Sequence, residues 1–460
     1  MRVDIRKIRE DIHLSQAQFA EIVGINQYRL SNIELFKDFP TGDEIERISK
    51  IAGQVSSGEI AVRKRKRIFK HSFDTSILDM RPRRSYSLTP RNLDYLHTLS
   101  ALEQRFRAPR HAAPIAVSFF TGCGGLCYGL RAAGFQIVAA NELVEDYRNI
   151  YKLNFGDIPF LSNDICDVSD CEIQHLIDKY GEIDLMAGGP PCQGFSLAGK
   201  RDVADKRNTL FQFYLKIASK LRPKIILMEN VRLLTSMKAP DGSLVKDNII
   251  DTFQSIGYKG NFYIVNAADF SVPQNRERVL FIGVRSDIGL PPAGLTPDLN
   301  TPLTALYPPF SFGDAVSDLE FLEAGECSSS DALHKATKHP EHVIRWLYDV
   351  PQGKSAHDNP DPSMRPPSGY NTTYKRQVWT QPGATVTTNF TMISGCNNVH
   401  PIATRAITVR EALRLQSFPD SFKFVGSAET VRTVIGNAVP PLLAYHIASQ
   451  IIEDYNLANA

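Results

Sequence analysis

Between residues 114 and 285, short apolar runs alternate with stretches whose apolar residues recur at helical spacing. IAVSFF (115–120), QIVAANE (136–142), IDLMA (183–187), KIILMENV (224–231) and the RVLFIG end of FSVPQNRERVLFIG (270–283) read as strands buried on both faces. The first runs through TGCGG into a helix beginning near Leu126, which is the strand, glycine turn, helix opening of a doubly wound sheet. In such sheets ligands lie outside the carboxyl ends of the strands.

Residues 1–53 carry helical spacing instead. Ser15 and Gln18 form a capping-box start, and Phe19, Ala20, Ile22 and Val23 supply an apolar face that Gly24 ends. Asn26 can cap a second helix, QYRLSNIEL, with Leu30 and Ile33 inward and Gln27, Tyr28, Arg29 and Asn32 outward. LSQAQFAEIVGINQYRLSNIE resembles the helix-turn-helix of phage-repressor (Cro-like) proteins. The resemblance puts Gln27, Tyr28, Arg29 and Asn32 at a major groove; the other reading of these helices is a bundle for packing or dimerisation.

The net charge of +2 hides an uneven distribution. Residues 61–110 hold thirteen Lys+Arg against four Asp+Glu, while residues 1–60 hold eight against ten. The basic segment reads as a linker, either a solvated tether or an arm that neutralises phosphates. With no apolar run of about 18 residues and no apolar leader, the chain is expected in the cytoplasm. Seven scattered cysteines argue for a reducing compartment, and Cys123 and Cys127 lack the further pair that a zinc site needs, so no metal is expected.

The chemistry gathers at the strand ends. Glu142, twenty residues after the glycine turn, suits ribose hydroxyls, and Asp164 in LSNDI suits an adenine amino group. GGPPCQGFS (188–196) holds Cys192 behind two prolines, MENV offers Glu229, and PQNRER carries Gln274, Arg276 and Arg278 at alternate positions, which puts both arginines on one strand face. A thiol, an acid and two guanidinium groups beside a nucleoside pocket fit nucleophilic attack on a heterocycle.

In order, SFFTGCGGL, NEL, NDI, GGPPCQGFS, RNTLFQFY, MENVRLL, VPQNRERV, RAITVREALRLQSFPD and IGNAVPPLLA resemble the motifs of DNA (cytosine-5)-methyltransferases over about residues 114–455. The resemblance implies an α/β, doubly wound, Rossmann-like methyltransferase fold that uses S-adenosylmethionine, with an inserted target-recognition domain and the all-α helix-turn-helix domain in front. The expected divisions are 1–60 helix-turn-helix, 61–110 linker, 111–285 catalytic, 286–405 target recognition and 406–460 the rest of the catalytic domain.

By the same resemblance, Cys192 adds to C6 of a flipped cytosine, Glu229 meets N3 and the exocyclic amine, Arg278 holds O2, and Arg276 orients the catalytic loop and acid. Phe120, Gly122, Gly124, Gly125, Leu126, Glu142, Asp164, Ile165, Pro190, Leu210, Asn437 and Val439 line the cofactor. Gln193 and Ser196 flank the thiol as DNA contacts in a loop that Gly194 and Gly199 leave free to move, and Thr385, Thr387 and Thr388 of PGATVTTNF lie near the base. Lys375 and Arg376 are candidates for phosphate or guanine. Ser118 stands where the family usually has Asp, which predicts weaker cofactor binding, and Leu143 stands where an aromatic is common. The last helix, PLLAYHIASQIIEDY, is expected against the first strand.

The function expected is modification of duplex DNA in a restriction–modification system, beside a restriction endonuclease acting on the same site, in a bacterial, nucleoid-associated protein. The front module suggests repression of its own gene from an operator, with dimerisation through that module. The alternatives are a tRNA cytosine methyltransferase and a DNA-binding regulator without catalysis. A zinc deaminase is excluded by the missing His-x-Glu and Cys-x-x-Cys signature.

Overall fold

The computed structural model describes residues 5–12, 14, 16–34, 39–57, 85–109, 113–191, 210–239, 241–288, 309–367, 370–395 and 397–457. Ser15, the charge-dense stretch 61–84, Cys192, Gln193, Gly194, Ser196 and Gly199 lie outside them. The chain divides into two units, 1–74 and 75–460.

The first unit contains α1 (Ile5–Asp11), α2 (Gln16–Val23), α3 (Gln27–Glu34) and α4 (Gly42–Ser56). Phe19, Ala20, Val23, Leu30, Ile33 and Ile48 share one core, as the helical spacing of 1–53 requires. Asn26 Oδ1 accepts the Tyr28 amide at 2.8 Å and so caps α3. Gln27 and Tyr28 are exposed on α3 and Asn32 is half-buried. Arg29 differs from its expected role: its guanidinium grips the Glu44 carboxylate at 2.5 and 2.8 Å, tying α3 to α4. That pairing holds the Glu44 carboxyl down at about 2.

The second unit is built on a six-stranded sheet, β1 (Ile115–Phe119), β2 (Gln136–Asn141), β3 (Leu185–Gly188), β4 (Ile225–Val231), β5 (Tyr258–Asn266) and β6 (Glu277–Arg285), in the order β2-β1-β3-β4-β6-β5. β2, β1, β3 and β4 are parallel, while β6 runs antiparallel to both β4 and β5. The sheet is therefore mixed. Order reverses between β1 and β3, the switch point where a crevice opens at the carboxyl ends.

Alternation sorts the strand residues to two helical layers. Ala116, Leu185, Ala187, Ile225 and Leu227 join one core with α6 (Gly125–Ala133), α7 (Glu145–Phe155), α13 (Val409–Leu415), α14 (Ala428–Asn437) and α15 (Pro441–Asp454). Val117, Phe119, Met186, Ile226 and Met228 join the other with α8 (Asp170–Tyr180), α9 (Leu210–Leu221) and α10 (Val245–Ser255). The expected seat of the last helix is corrected: α15 lies along α6, where Gly129 brings the two backbones together at Ala444.

The expected linker also ends earlier than residue 110. Residues 92–107 form α5 (Asn92–Arg107), which buries Tyr95, Leu99, Leu102 and Phe106 in the same core as α6 and α13. The Tyr95 hydroxyl donates to the Arg414 carbonyl, and Asn92 donates to the Asp314 carbonyl at 3.0 Å. Upstream, Tyr86 stacks on Trp379 and His400 with centroids at 5.1 and 5.6 Å, and its hydroxyl reaches Glu411 and Arg405.

Residues described within 286–405 contribute to two cores: Val343 and Leu347 of α12 (Glu341–Leu347), with Ala356, Ile393, Val399 and Ala406, share a small one. Phe312, Ala315 and Val316 of α11 (Phe312–Val316), with Val386 and Phe390, belong to the core that contains α6. Arg376 is corrected here: it is buried and donates to the carbonyls of His400, Ala403 and Leu347 at 3.0, 2.6 and 2.9 Å, leaving Lys375 as the more exposed of the pair.

Candidate active site

The reversal of β6 brings its first residues to the edge where β4 ends. Arg278 lies directly opposite Val231, and Glu229, two residues before Val231, shares that face. The result is an ion pair with Arg278 Nε 2.8 Å from Glu229 Oε1, each side chain 12% exposed. Burial lowers the Arg278 pKa and Glu229 opposes it. Asn230, on the opposite face, donates to the Pro190 carbonyl at 2.8 Å and holds the start of the chain leading to Cys192. A Cβ built on Gly189 would be 3.2 Å from Glu229 Oε2, so the backbone passes the acid three residues before the thiol.

Arg276 departs from the expected shared face. β6 begins at Glu277, and Arg276, 1% exposed, turns its guanidinium to the carbonyls of Val386 and Gly436 at 3.0 and 2.9 Å. Its Nε has no partner among the described residues. Burial and the neighbouring Arg278 both depress its pKa, while Glu229 raises it.

The carboxyl ends of β1 and β2, at one side of the crevice, carry the other group of residues. Phe120 closes β1 at φ +54, an uncommon backbone for a bulky residue, and the chain turns through Gly124 at φ +99. A Cβ on Gly124 would strike the Phe155 ring at 2.3 Å. The neighbouring Gly125 abuts the Val439 carbonyl, so Gly124, Gly125 and the buried Leu126 and Val439 shape the turn from behind.

Glu142 Oε2 accepts the Gly122 amide at 2.8 Å and Oε1 the Val144 amide at 2.9 Å, leaving lone pairs on a carboxylate that can take about four donors. Asn141 donates to the Ser162 and Asn163 carbonyls at 2.5 and 3.1 Å, which draws Asp164 and the buried Ile165 to the same edge. Asp164 caps the short turn that follows by accepting the Cys166 amide at 2.9 Å. Leu210 opens α9 half-buried, and Asn437 ends α14 exposed. Leu143 is 62% exposed, leaving an apolar surface beside Glu142.

Ser118, from which weaker cofactor binding is expected, does not line the crevice edge. It is fully buried, and its hydroxyl accepts the Cys127 thiol at 3.1 Å, inside the core beneath the turn.

Thr387 is exposed and Thr385 and Thr388 are half-buried; the Thr385 hydroxyl donates to the Asn275 carbonyl at 2.7 Å, which fastens this segment beside the arginine strand. Sequence reasoning noted Gln274 without giving it a role and missed Gln416, the buried amide it meets; their pairing joins positions 142 residues apart and leaves no local signal.

Residues 116–453 match the C-5 cytosine-specific DNA methylase family. The chain is 36% identical over 341 residues to the Type II methyltransferase M1.HphI of Haemophilus parahaemolyticus, covering 73% of this chain and 86% of that protein. It is 33% identical over 385 residues to M.DdeI of Desulfomicrobium norvegicum, covering 75% and 90%. A crystal structure described as a DNA modification methyltransferase encoded within a prophage (E. coli) superposes with a TM-score of 0.59 at 23% identity, covering 75% of this chain and all of that one. Spodoptera frugiperda DNMT2 gives 0.51 at 17% identity over 74% of this chain and all of that one, which extends the likeness of fold. With an acid and an arginine paired at the carboxyl edge and the matched region spanning the whole sheet, the chain belongs to the C-5 cytosine-specific DNA methylase family.

Proposed function

We propose that the protein methylates C5 of cytosine within a specific duplex DNA sequence, as a DNA (cytosine-5-)-methyltransferase and the modification enzyme of a restriction–modification system. The observation that carries this reading is the Glu229–Arg278 pair, set where β4 and β6 meet, with the backbone of Gly189, three residues before Cys192, passing beside the acid. S-adenosylmethionine supplies an electrophilic methyl group when bound. The Glu142 carboxylate, with lone pairs to spare, suits its ribose hydroxyls; Asp164 and Ile165 suit its adenine, Phe120 its ring face, and Leu210 and Asn437 its methionine end.

Cytosine C5 is a weak nucleophile. Addition of the Cys192 thiolate to C6 moves electron density to C5, which takes the methyl group; loss of the C5 proton then re-forms the C5–C6 double bond and expels the thiolate, so one difficult step is divided into easier ones. The ordinary thiol pKa is near 8.5, so addition needs a site that favours the thiolate. Glu229 at N3 balances the charge that grows on the ring, and Arg278 fixes both the acid and the base O2. A stacked base cannot reach these groups, which requires the target nucleotide to leave the duplex. Thr385, Thr387 and Thr388 serve as its DNA contacts, together with Gln193 and Ser196, which follow Cys192 in the sequence.

Duplex DNA containing 5-fluorocytosine is expected to trap a covalent complex with the wild-type protein, because fluorine cannot leave as a proton does. Cys192→Ala is expected to give none. Persistence of the adduct in that variant would place the nucleophile elsewhere. Bisulfite sequencing of methylated duplex identifies the cytosine, and parallel transfer to tRNA tests the RNA alternative.

The pH dependence of donor binding tests Glu142. Burial raises this carboxyl above its ordinary 4.5, against the lowering effect of the Val144 and Gly122 amides. Ribose hydroxyls bond more strongly to the ionised acid than to the protonated one, so donor affinity is highest above the carboxyl's pKa and weakens as pH falls through it. Calorimetric titration with S-adenosylmethionine is expected to show affinity falling from pH 7.5 toward 5 in wild type and a flat profile in Glu142→Gln. Parallel profiles would remove Glu142 from the ribose.

The front unit supports a second activity, operator binding that represses the protein's own gene, through Gln27, Tyr28 and Asn32 on the exposed side of α3. Dimerisation of this unit suits a two-fold operator. Residues 1–84 are expected to shift DNA from upstream of the gene more strongly than random duplex; equal shifts would leave only charge-driven binding.

A further inference from the structure

Gln274 and Gln416 are both fully buried, and the chemistry above uses neither. Gln274 Nε2 donates to Gln416 Oε1 at 2.9 Å and to the Leu415 carbonyl at 3.1 Å, while its Oε1 accepts the Val386 amide at 2.8 Å. Gln416 Nε2 donates to the Ile435 carbonyl at 2.7 Å. Since Arg276 holds the Val386 and Gly436 carbonyls, both polar groups of Val386 are gripped by side chains two residues apart on one segment.

The two gripped segments touch directly. A Cβ on Gly436 would lie 2.4 Å from the Thr388 nitrogen and 2.5 Å from the Thr387 carbonyl carbon, so this helix end and the threonine segment meet backbone to backbone. Immediately after Gly436 comes Asn437, the residue assigned to the donor's methionine end. The threonine segment is bound on its other side as well, where Gly383 donates to the Pro273 carbonyl at 2.9 Å and accepts the Asn275 amide at 2.7 Å.

We propose that Gln274 and Gln416 are positioning residues for methyl transfer, an amide pair that sets the spacing between the base-side threonines and the donor-side end of α14. The proposal rests on the assignment of Thr385–Thr388 and Asn437 made above. Methyl transfer requires the reacting atoms about 3–3.5 Å apart, and a displacement near 1 Å costs about a hundredfold. Both amides are fully buried and spend their hydrogen bonds on protein partners, so their loss falls on the rate within the ternary complex more than on affinity for either ligand.

Gln416→Met keeps the volume and removes the side chain's hydrogen bonds to Gln274, Ile435 and Ala438. Its single-turnover methyl transfer to target duplex is expected to fall about 10- to 100-fold, with the Kd values for S-adenosylmethionine and for duplex within about threefold of wild type. Gln274→Met is expected to match it, and the double variant to lose little more, because the residues act as one unit. Gln416→Glu, which retains a polar side chain, gives a second test if the apolar variants do not fold: the ionised acid cannot donate to Ile435, and its rate relative to wild type is expected to rise as pH is lowered. Wild-type rates in folded variants, or losses that follow affinity and melting temperature together, would overturn positioning. Absence of transfer by wild type would instead overturn the assigned reaction.

Discussion

Glu229→Gln is expected to lower the single-turnover rate of methyl transfer to duplex DNA by about 10²- to 10⁴-fold, the range of a lost acid–base group. The amide oxygen can still accept from Arg278 Nε, now 2.8 Å from the acid, so the fold should survive. Arg278→Ala poses the harsher test of the pair. It strands a carboxylate that is only 12% exposed, and removing one partner of a buried pair costs about 3–5 kcal/mol. That variant should lose both melting temperature and rate, whereas Glu229→Gln should lose rate alone. Rates measured beside thermal melts separate the two, and a Glu229→Gln enzyme within threefold of wild type would take the acid out of the mechanism.

A chain beginning at residue 113, close to where the family match starts, is expected not to fold, whereas one beginning at residue 85 should fold and methylate DNA. The shorter chain lacks α5 and with it the buried Tyr95, Leu99, Leu102 and Phe106. Loss of a large buried side chain costs about 2–5 kcal/mol, and four such losses, about 8–20 kcal/mol together, are as large as a typical domain stability of about 5–15 kcal/mol. The shorter chain also loses Tyr86, whose hydroxyl lies 3.2 Å from Arg405 Nη2 beside the fully buried Arg405–Glu411 pair. Solubility, circular dichroism and transfer assays on the two chains decide the matter; a folded, active chain from residue 113 would show that α5 is dispensable.

The strands, the glycine turn and the residues at the strand ends were legible in the sequence because each depends on local pattern. Apolar runs mark buried strands, and Glu142 and Glu229 follow from their positions at the ends of such runs. The front helices were equally legible, since Asn26 and Gly24 act within one turn of chain. Arg29 and Arg376 were misread for a shared reason: an arginine looks like a DNA contact until a distant partner is known, and Glu44 and the carbonyls of Leu347, His400 and Ala403 supply those partners.

By itself the sequence determined the kind of chemistry, through residue types held at short spacings that no other part of the chain can alter. Tertiary structure alone decided how the two arginines divide, because only the antiparallel register of β6 against β4 sends Arg278 to Glu229 while Arg276 turns to Val386 and Gly436. It also decided that α5 belongs to the second unit and that Gln274 meets Gln416. Pattern along a chain records which face a residue prefers, whereas a partner more than a hundred residues away is selected by the packing of whole elements.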